Sequence, residues 1–246
     1  IMGSVEYSGT DYRLSFRDII YKSTVGYDWS RFGMDFCLGV DADRKITYRE
    51  EMFAPLFLME AFAEARIQNE GEQKQLVTAT RTLVNPQQRG QSDSYLFTPL
   101  RAFLLLFMLI AGLTIYGLKK KKSLWWLDIL LFAAAGLAGC VIAFLMFFSE
   151  HPAVDCNYLI LVFHPLHLLL MPFFIRKEIK GKRSIYHLAN TVILTLFILL
   201  WPIIPQHFNL AVLPLALSLL IRSVSNVLIC KCANVPIGCV SNKLNN

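Results

Sequence analysis

Residues 118–150 read LKKKKSLWWLDILLFAAAGLAGCVIAFLMFFSE, and this stretch decides the fold. Between the lysines at 119–122 and Ser149 lies an apolar run whose one charge is Asp128. A helix crossing about 30 Å of hydrocarbon needs roughly 20 mainly apolar residues. Trp125 and Trp126 open the run, and such amphipathic rings favour headgroup depth. The stretch therefore reads as one transmembrane helix over 124–148.

Four similar runs surround it. One covers 102–118, entered through Thr98-Pro99; a second covers 158–175 and carries Pro165 and Pro172. A third spans 185–204 and ends in Trp201-Pro202; the last, 210–229, contains Pro214 and Arg222. Proline is tolerated in such helices because neighbouring helices and polar side chains can satisfy the freed carbonyls. The rival counts are four or six spans, since His and Pro weaken the run over 158–175. The expected fold class is an α-helical integral membrane protein of about five transmembrane helices, with a small α+β extracytoplasmic N-terminal segment. A soluble helical protein would not produce five successive runs with alternating loop charge.

The loops set the orientation. Nine Lys or Arg residues lie in the loops after the first and third spans: 119–122 and Arg176, Lys177, Lys180, Lys182 and Arg183. The alternate loops, 149–157 and 205–209, hold none. Basic short loops stay on the cytoplasmic side, which places the N-terminal segment outside and the tail, 230–246, in the cytoplasm. The expected location is the inner (cytoplasmic) membrane, crossed several times. The formal net charge of +6 arises in the membrane half, between apolar runs, so it is not a nucleic-acid patch. A segment of this kind outside the cytoplasm needs an export signal, so the expectation is a fragment with an upstream region missing.

Residues 1–84 have ordinary soluble composition. Thr47 and Glu50 form a capping box, and Pro55 suits the first turn of a helix over 55–66. Leu58, Met59, Phe62 and Ala65 are expected to face a core. Residues 69–72 read as a turn, 74–84 as strand, and 85–97 as a polar linker. The six cysteines are too scattered for a disulfide framework.

The stretches Ser15-Phe16-Arg17-Asp18-Ile19-Ile20, Asp28-Trp29-Ser30-Arg31-Phe32-Gly33-Met34-Asp35 and Ala42-Asp43-Arg44-Lys45 resemble one family, as do Arg49-Glu50-Glu51-Met52-Phe53, Pro55 and Leu58-Met59-Glu60-Ala61-Phe62. In the membrane half, Phe147-Phe148-Ser149-Glu150-His151-Pro152, Asn157 and Pro165-Leu166 fit it too. The chain resembles, from about Ser15 to Arg222, envelope proteins with the Lnb N-terminal periplasmic domain followed by a multi-span membrane region. The resemblance implies a signal peptide and a periplasmic domain with a His and an Asn-Cys-Thr motif, a thiol hydrolase or amidase arrangement in which a base generates the thiolate. Residues 1–97 contain no His, and the chain has no Asn-Cys-Thr. Cys37, between Phe36 and Leu38, reads as packing. No catalytic residue carries over, so the chemistry is expected upstream. Alternatives are a non-catalytic maturation or chaperone-like factor for exported proteins, and a transporter.

All five histidines lie in the membrane half. His164 and His167 share a helix face and are the weak metal candidates within the spans; the commoner role is a polar seam. Glu150, His151, Asp155 and His207 gather on the outer loops as a rim, where His151 and His207 are further weak metal candidates and docking of the N-terminal segment is the commoner role. Asp128 and Arg222, at similar depth, either pair or snorkel separately to the headgroups. Cys230, Cys232 and Cys239 lack a fourth zinc ligand. No cofactor is expected. The expected partners are the lipid bilayer, the missing N-terminal domain, and an exported protein or envelope polymer, with no nucleic acid.

Overall fold

A computed structural model describes residues 4–9, 11–69, 72–83 and 97–233, the last four without their side chains. The expected linker, apart from Phe97, the tail beyond 233 and the three C-terminal cysteine side chains lie outside the described residues.

In the N-terminal segment, β1 (Ser4–Glu6), β2 (Arg66–Asn69) and β3 (Glu72–Gln75) form an antiparallel sheet in that order, with Val5 opposite Ile67 and Ile67 opposite Lys74. Between β1 and β2 run α1 (Phe16–Ser23), α2 (Asp28–Cys37), a 3-10 turn (Val40–Asp43), α3 (Tyr48–Glu51) and α4 (Pro55–Glu64). Two capping boxes start helices. Thr47 and Glu50 open α3; Ser15 and Asp18, unforeseen from the sequence, open α1. Each box satisfies backbone N–H groups that a helix start leaves without partners. The core is small: Ile19, Ile46 and Ala54, with Leu14, Phe16 and Phe57 packed against it.

Three expectations fail here. The inward stripe of α4 is Phe57 and Ala61, followed by Ala65, while Leu58, Met59 and Phe62 are exposed. The neighbouring core is too small to cover the larger side chains. The strand expected over 74–84 ends at Gln75, which pairs with Arg66, the first residue of β2, so the ladder has no partner to continue along. The α4 helix also stops at Glu64, before residue 66 turns into β2.

The membrane half contains α5 (Pro99–Lys120), α6 (Trp125–Phe148), α7 (Leu166–Leu169), α8 (Met171–Ile179), α9 (Ile185–Leu200) and α10 (Val212–Ala233). Among the described residues, α5, α6 and α10 (over Val212–Ile229) are long and apolar enough to span a bilayer unaided. The α9 helix has 16 residues, about 24 Å at 1.5 Å per residue, and a turn over 201–206 completes its run. The chain is an α-helical membrane protein with a small three-stranded sheet at its N-terminal end.

The run expected as one helix over 158–175 is broken. It consists of a 3-10 turn (Tyr158–Leu161), then α7, then α8, with Pro165 and Pro172 at the two later helix starts. Proline lacks an N–H and clashes with the preceding turn, so it belongs at a helix start. This segment lies against α6 at two glycines. A Cβ on Gly139 would meet the backbone of His164 at 2.6 Å, and one on Gly136 would meet the Leu168 side chain at 2.7 Å. Around this seam the core gathers Phe132, Phe174, Leu194, Phe197 and Leu219, and α10 packs on both α5 and α9.

Two outcomes follow. Gly139→Val pushes His164 off α6 and costs about 1–3 kcal/mol through overpacking, read as a lower melting temperature of the protein in detergent. Glu50 is held down to about 2, from an ordinary 4.5, chiefly by its hydrogen bonds from the Arg44 side chain and the Thr47 backbone. A depressed carboxyl stabilises the fold above its unfolded value and loses that contribution as pH falls through its folded value. Melting curves of the wild type and Glu50→Gln therefore differ most above pH 4.5 and converge as the pH approaches 2.

Candidate functional site

The N-terminal segment is clamped to the membrane half by buried polar contacts. Arg17 on α1 donates from Nη1 to Asp35 Oδ1 (2.8 Å), from Nε to Asp43 Oδ1 (2.7 Å) and from Nη2 to the Gly39 carbonyl (3.2 Å). Burial alone would lower the Arg17 pKa; the Asp43 and Asp35 carboxylates outweigh it and raise the value. The same carboxylates then reach across. Asp35 Oδ2 accepts from Asn209 Nδ2 (2.9 Å) and Tyr21 (3.0 Å), and Asp43 Oδ2 accepts from the His207 backbone N–H (3.0 Å).

Two amides complete the clamp. Asn157 Nδ2 donates to the Phe36 carbonyl (2.9 Å). Gln206 Nε2 donates to the Leu38 carbonyl (2.9 Å) and to Asn157 Oδ1 (3.0 Å). These bonds satisfy carbonyls that the end of α2 leaves open. The Gly39 N–H donates to the Ala153 carbonyl (2.9 Å), and a Cβ on Gly39 would overlap the Asp155 carbonyl. Glycine is required here by close backbone approach.

Below the clamp, α2 roofs an apolar cleft of about 520 Å³, within the range of ligand pockets. Phe32, Phe36 and Cys37 line it from above, Phe103 and Leu106 from α5, and Leu131, Ala135 and Ala138 from α6. The α5 helix buries Ile110, Thr114 and Gly117 in its later half. Its first half leans on α2, where Phe103 meets the rings of Trp29 and Phe32, and leaves a gap beside α6. Ala134, Val141 and Leu106 on the cleft walls are exposed, so the cleft opens sideways at the depth of the spanning helices. Burial raises the Cys37 thiol pKa, the opposite of what a nucleophile needs.

Asp128 and Arg222 form a fully buried fork: Nε to Oδ1 and Nη2 to Oδ2, both 2.6 Å. Arg222 Nη1 also donates to Thr114 Oγ1 on α5 (3.3 Å), and Asn226 Nδ2 donates to Asp128 Oδ2 (2.9 Å). Asn190 on α9 donates to Ser223 on α10 (2.8 Å). This ties four helices together where no water can substitute.

His164 and His167 stack with ring centroids 3.7 Å apart. Both His167 nitrogens are engaged, Nδ1 with the Tyr186 hydroxyl and Nε2 with the Val162 carbonyl, which leaves that ring no lone pair for a metal. The expected rim does not converge. His151 caps its own 3-10 turn through Nδ1 (3.2 Å to the Ala153 N–H), the His207 ring stands beside Tyr21, and Glu150 and the Asp155 side chain are exposed. No group of three His, Cys, Asp or Glu among the described residues is placed to hold a metal ion. The segment docks through His207 and the Asp155 backbone of that rim together with the side chains of Asn157, Gln206 and Asn209, the last three not foreseen as docking groups. The signal for them was neutral amides inside apolar loops, groups that must find partners when buried.

A family model described as the Lnb transmembrane domain matches residues 91–233, more than half of the chain. No curated protein and no solved structure matches it.

Asp128→Asn leaves Arg222 as an uncompensated buried charge and costs about 3–5 kcal/mol; Asp128→Leu with Arg222→Leu regains most of that, both read from melting in detergent. Gln206→Ala strands the Leu38 carbonyl and the Tyr158 N–H, costing about 1–3 kcal/mol. Its readout is faster proteolysis of the N-terminal segment with the membrane half intact.

Proposed function

The chain belongs to the Lnb transmembrane-domain family, and from that we propose that it is the membrane platform of an envelope enzyme acting on lipid-borne substrates. It holds the extracytoplasmic segment at a fixed height over a cleft that admits an acyl chain from the bilayer. The chemistry is that of a thiol hydrolase or amidase, with the nucleophile and base supplied from outside this chain. The observation that carries the reading is the lateral apolar cleft roofed by α2.

Three features support it. The cleft is lined almost wholly by carbon, which excludes a charged substrate, and it opens at a depth where lipid is the abundant apolar ligand. The clamp fixes α2, and with it the roof, through partners from both short loops. The nine basic residues of the opposite loops, against none in 149–157 and 205–209, favour an orientation with the segment outside the inner membrane. The transporter alternative gains nothing from these contacts, because Asp128 and Arg222 are locked to each other in a neutral fork.

The test uses the chain in nanodiscs containing phosphatidylcholine with a diazirine in one acyl chain. Crosslinks concentrate on Phe103, Leu106, Leu131 and Ala138, and Ala135→Trp, which fills the cleft, removes them. Equal labelling of outward residues such as Leu105 and Leu199 overturns the reading.

A further inference from the structure

A second cavity, of about 250 Å³, lies on the N-terminal segment away from the clamp. Residues Ser8 and Gly9, Arg13, Tyr48 and Glu51 on α3, and Phe57, Glu60 and Glu64 on α4 line it. Three carboxylates thus face one cation. Glu51 is the unusual member. Its side chain is 1% exposed, and neither carboxylate oxygen has a hydrogen-bond partner. Arg13 Nη2 stands 3.8 Å away, beyond hydrogen-bonding distance, on a side chain that is 62% exposed. A buried carboxylate without donors is costly unless something supplies them. The Tyr48 hydroxyl registers the same field: burial first, then the charges of Glu64, Glu51 and Glu60, raise its pKa.

We propose that this cavity receives the cationic side chain, lysine or arginine, of a partner polypeptide that lies along α4. The three carboxylates are not grouped to hold a metal ion, whereas an ammonium or guanidinium presents several donors over a wider span. The surface beside the cavity suits a polypeptide. Leu56, at i and i+4 with Glu60, is 66% exposed; Met59 is 57% exposed, and Phe53 and Phe62 continue the apolar face. A cation with apolar neighbours complements both parts at once. Arg13 competes for Glu51 and so tunes the site.

The full chain in nanodiscs of zwitterionic phosphatidylcholine is titrated with acetyl-Leu-Lys-Leu-amide, and separately with the same peptide carrying norleucine in place of lysine. The lysine peptide binds saturably and the norleucine peptide does not. Glu51→Gln, close in shape, weakens binding about tenfold through loss of a charge-assisted bond, with the melting temperature unchanged or raised because a buried unpaired charge is removed. Arg13→Ala tightens it. Glu60→Gln, at an exposed position, weakens it without endangering the fold. Equal binding of both peptides, or binding indifferent to Glu51→Gln and Glu60→Gln, overturns the proposal.

Discussion

Hydrocarbon offers no hydrogen bonds, so each polar group that enters it must find its partner inside the protein. The Asp128–Arg222 fork is where this chain meets that demand most completely. Both groups are fully buried, with Thr114 and Asn226 taking up donors and acceptors that the pair leaves over. Its contribution to stability is modest relative to an apolar pair of equal volume. What it fixes is register. Asp128 sits in the first turn of α6 and Arg222 in the middle of α10, so the depth of one helix sets the depth of the other. Thr114 ties α5 to the same pair through Arg222 Nη1.

The helices were legible because the bilayer imposes length and loop charge on any sequence that crosses it. The two prolines over 158–175 were visible as irregularities, but not as the ends of separate helices. That outcome depends on Gly136 and Gly139, which let a non-helical stretch lie against α6. In the N-terminal segment, the Thr47 capping box could be read locally, while the exposed face of α4 could not. Periodicity identifies an apolar face without saying whether the molecule supplies enough neighbouring surface to bury it.

The docking site was legible only in outline. The loops over 149–157 and 205–209 suggested a rim, and attention fell on their charged and imidazole groups. The structure adds Asn157, Gln206 and Asn209, whose amides donate to the open carbonyls at the end of α2 and to Asp35, while His207 takes part through its backbone N–H and its ring. The cleft was not legible at all. It is made by the space between α5 and α6, and an empty volume leaves no residue pattern in either helix.

Gly39 has a mechanical consequence. With the Asp155 carbonyl against its α-carbon and its N–H bonded to Ala153, the exit of α2 cannot rise away from the loop without breaking several bonds together. The clamp thereby works as a depth gauge. Whatever the segment carries is held at one height relative to the ends of the spanning helices.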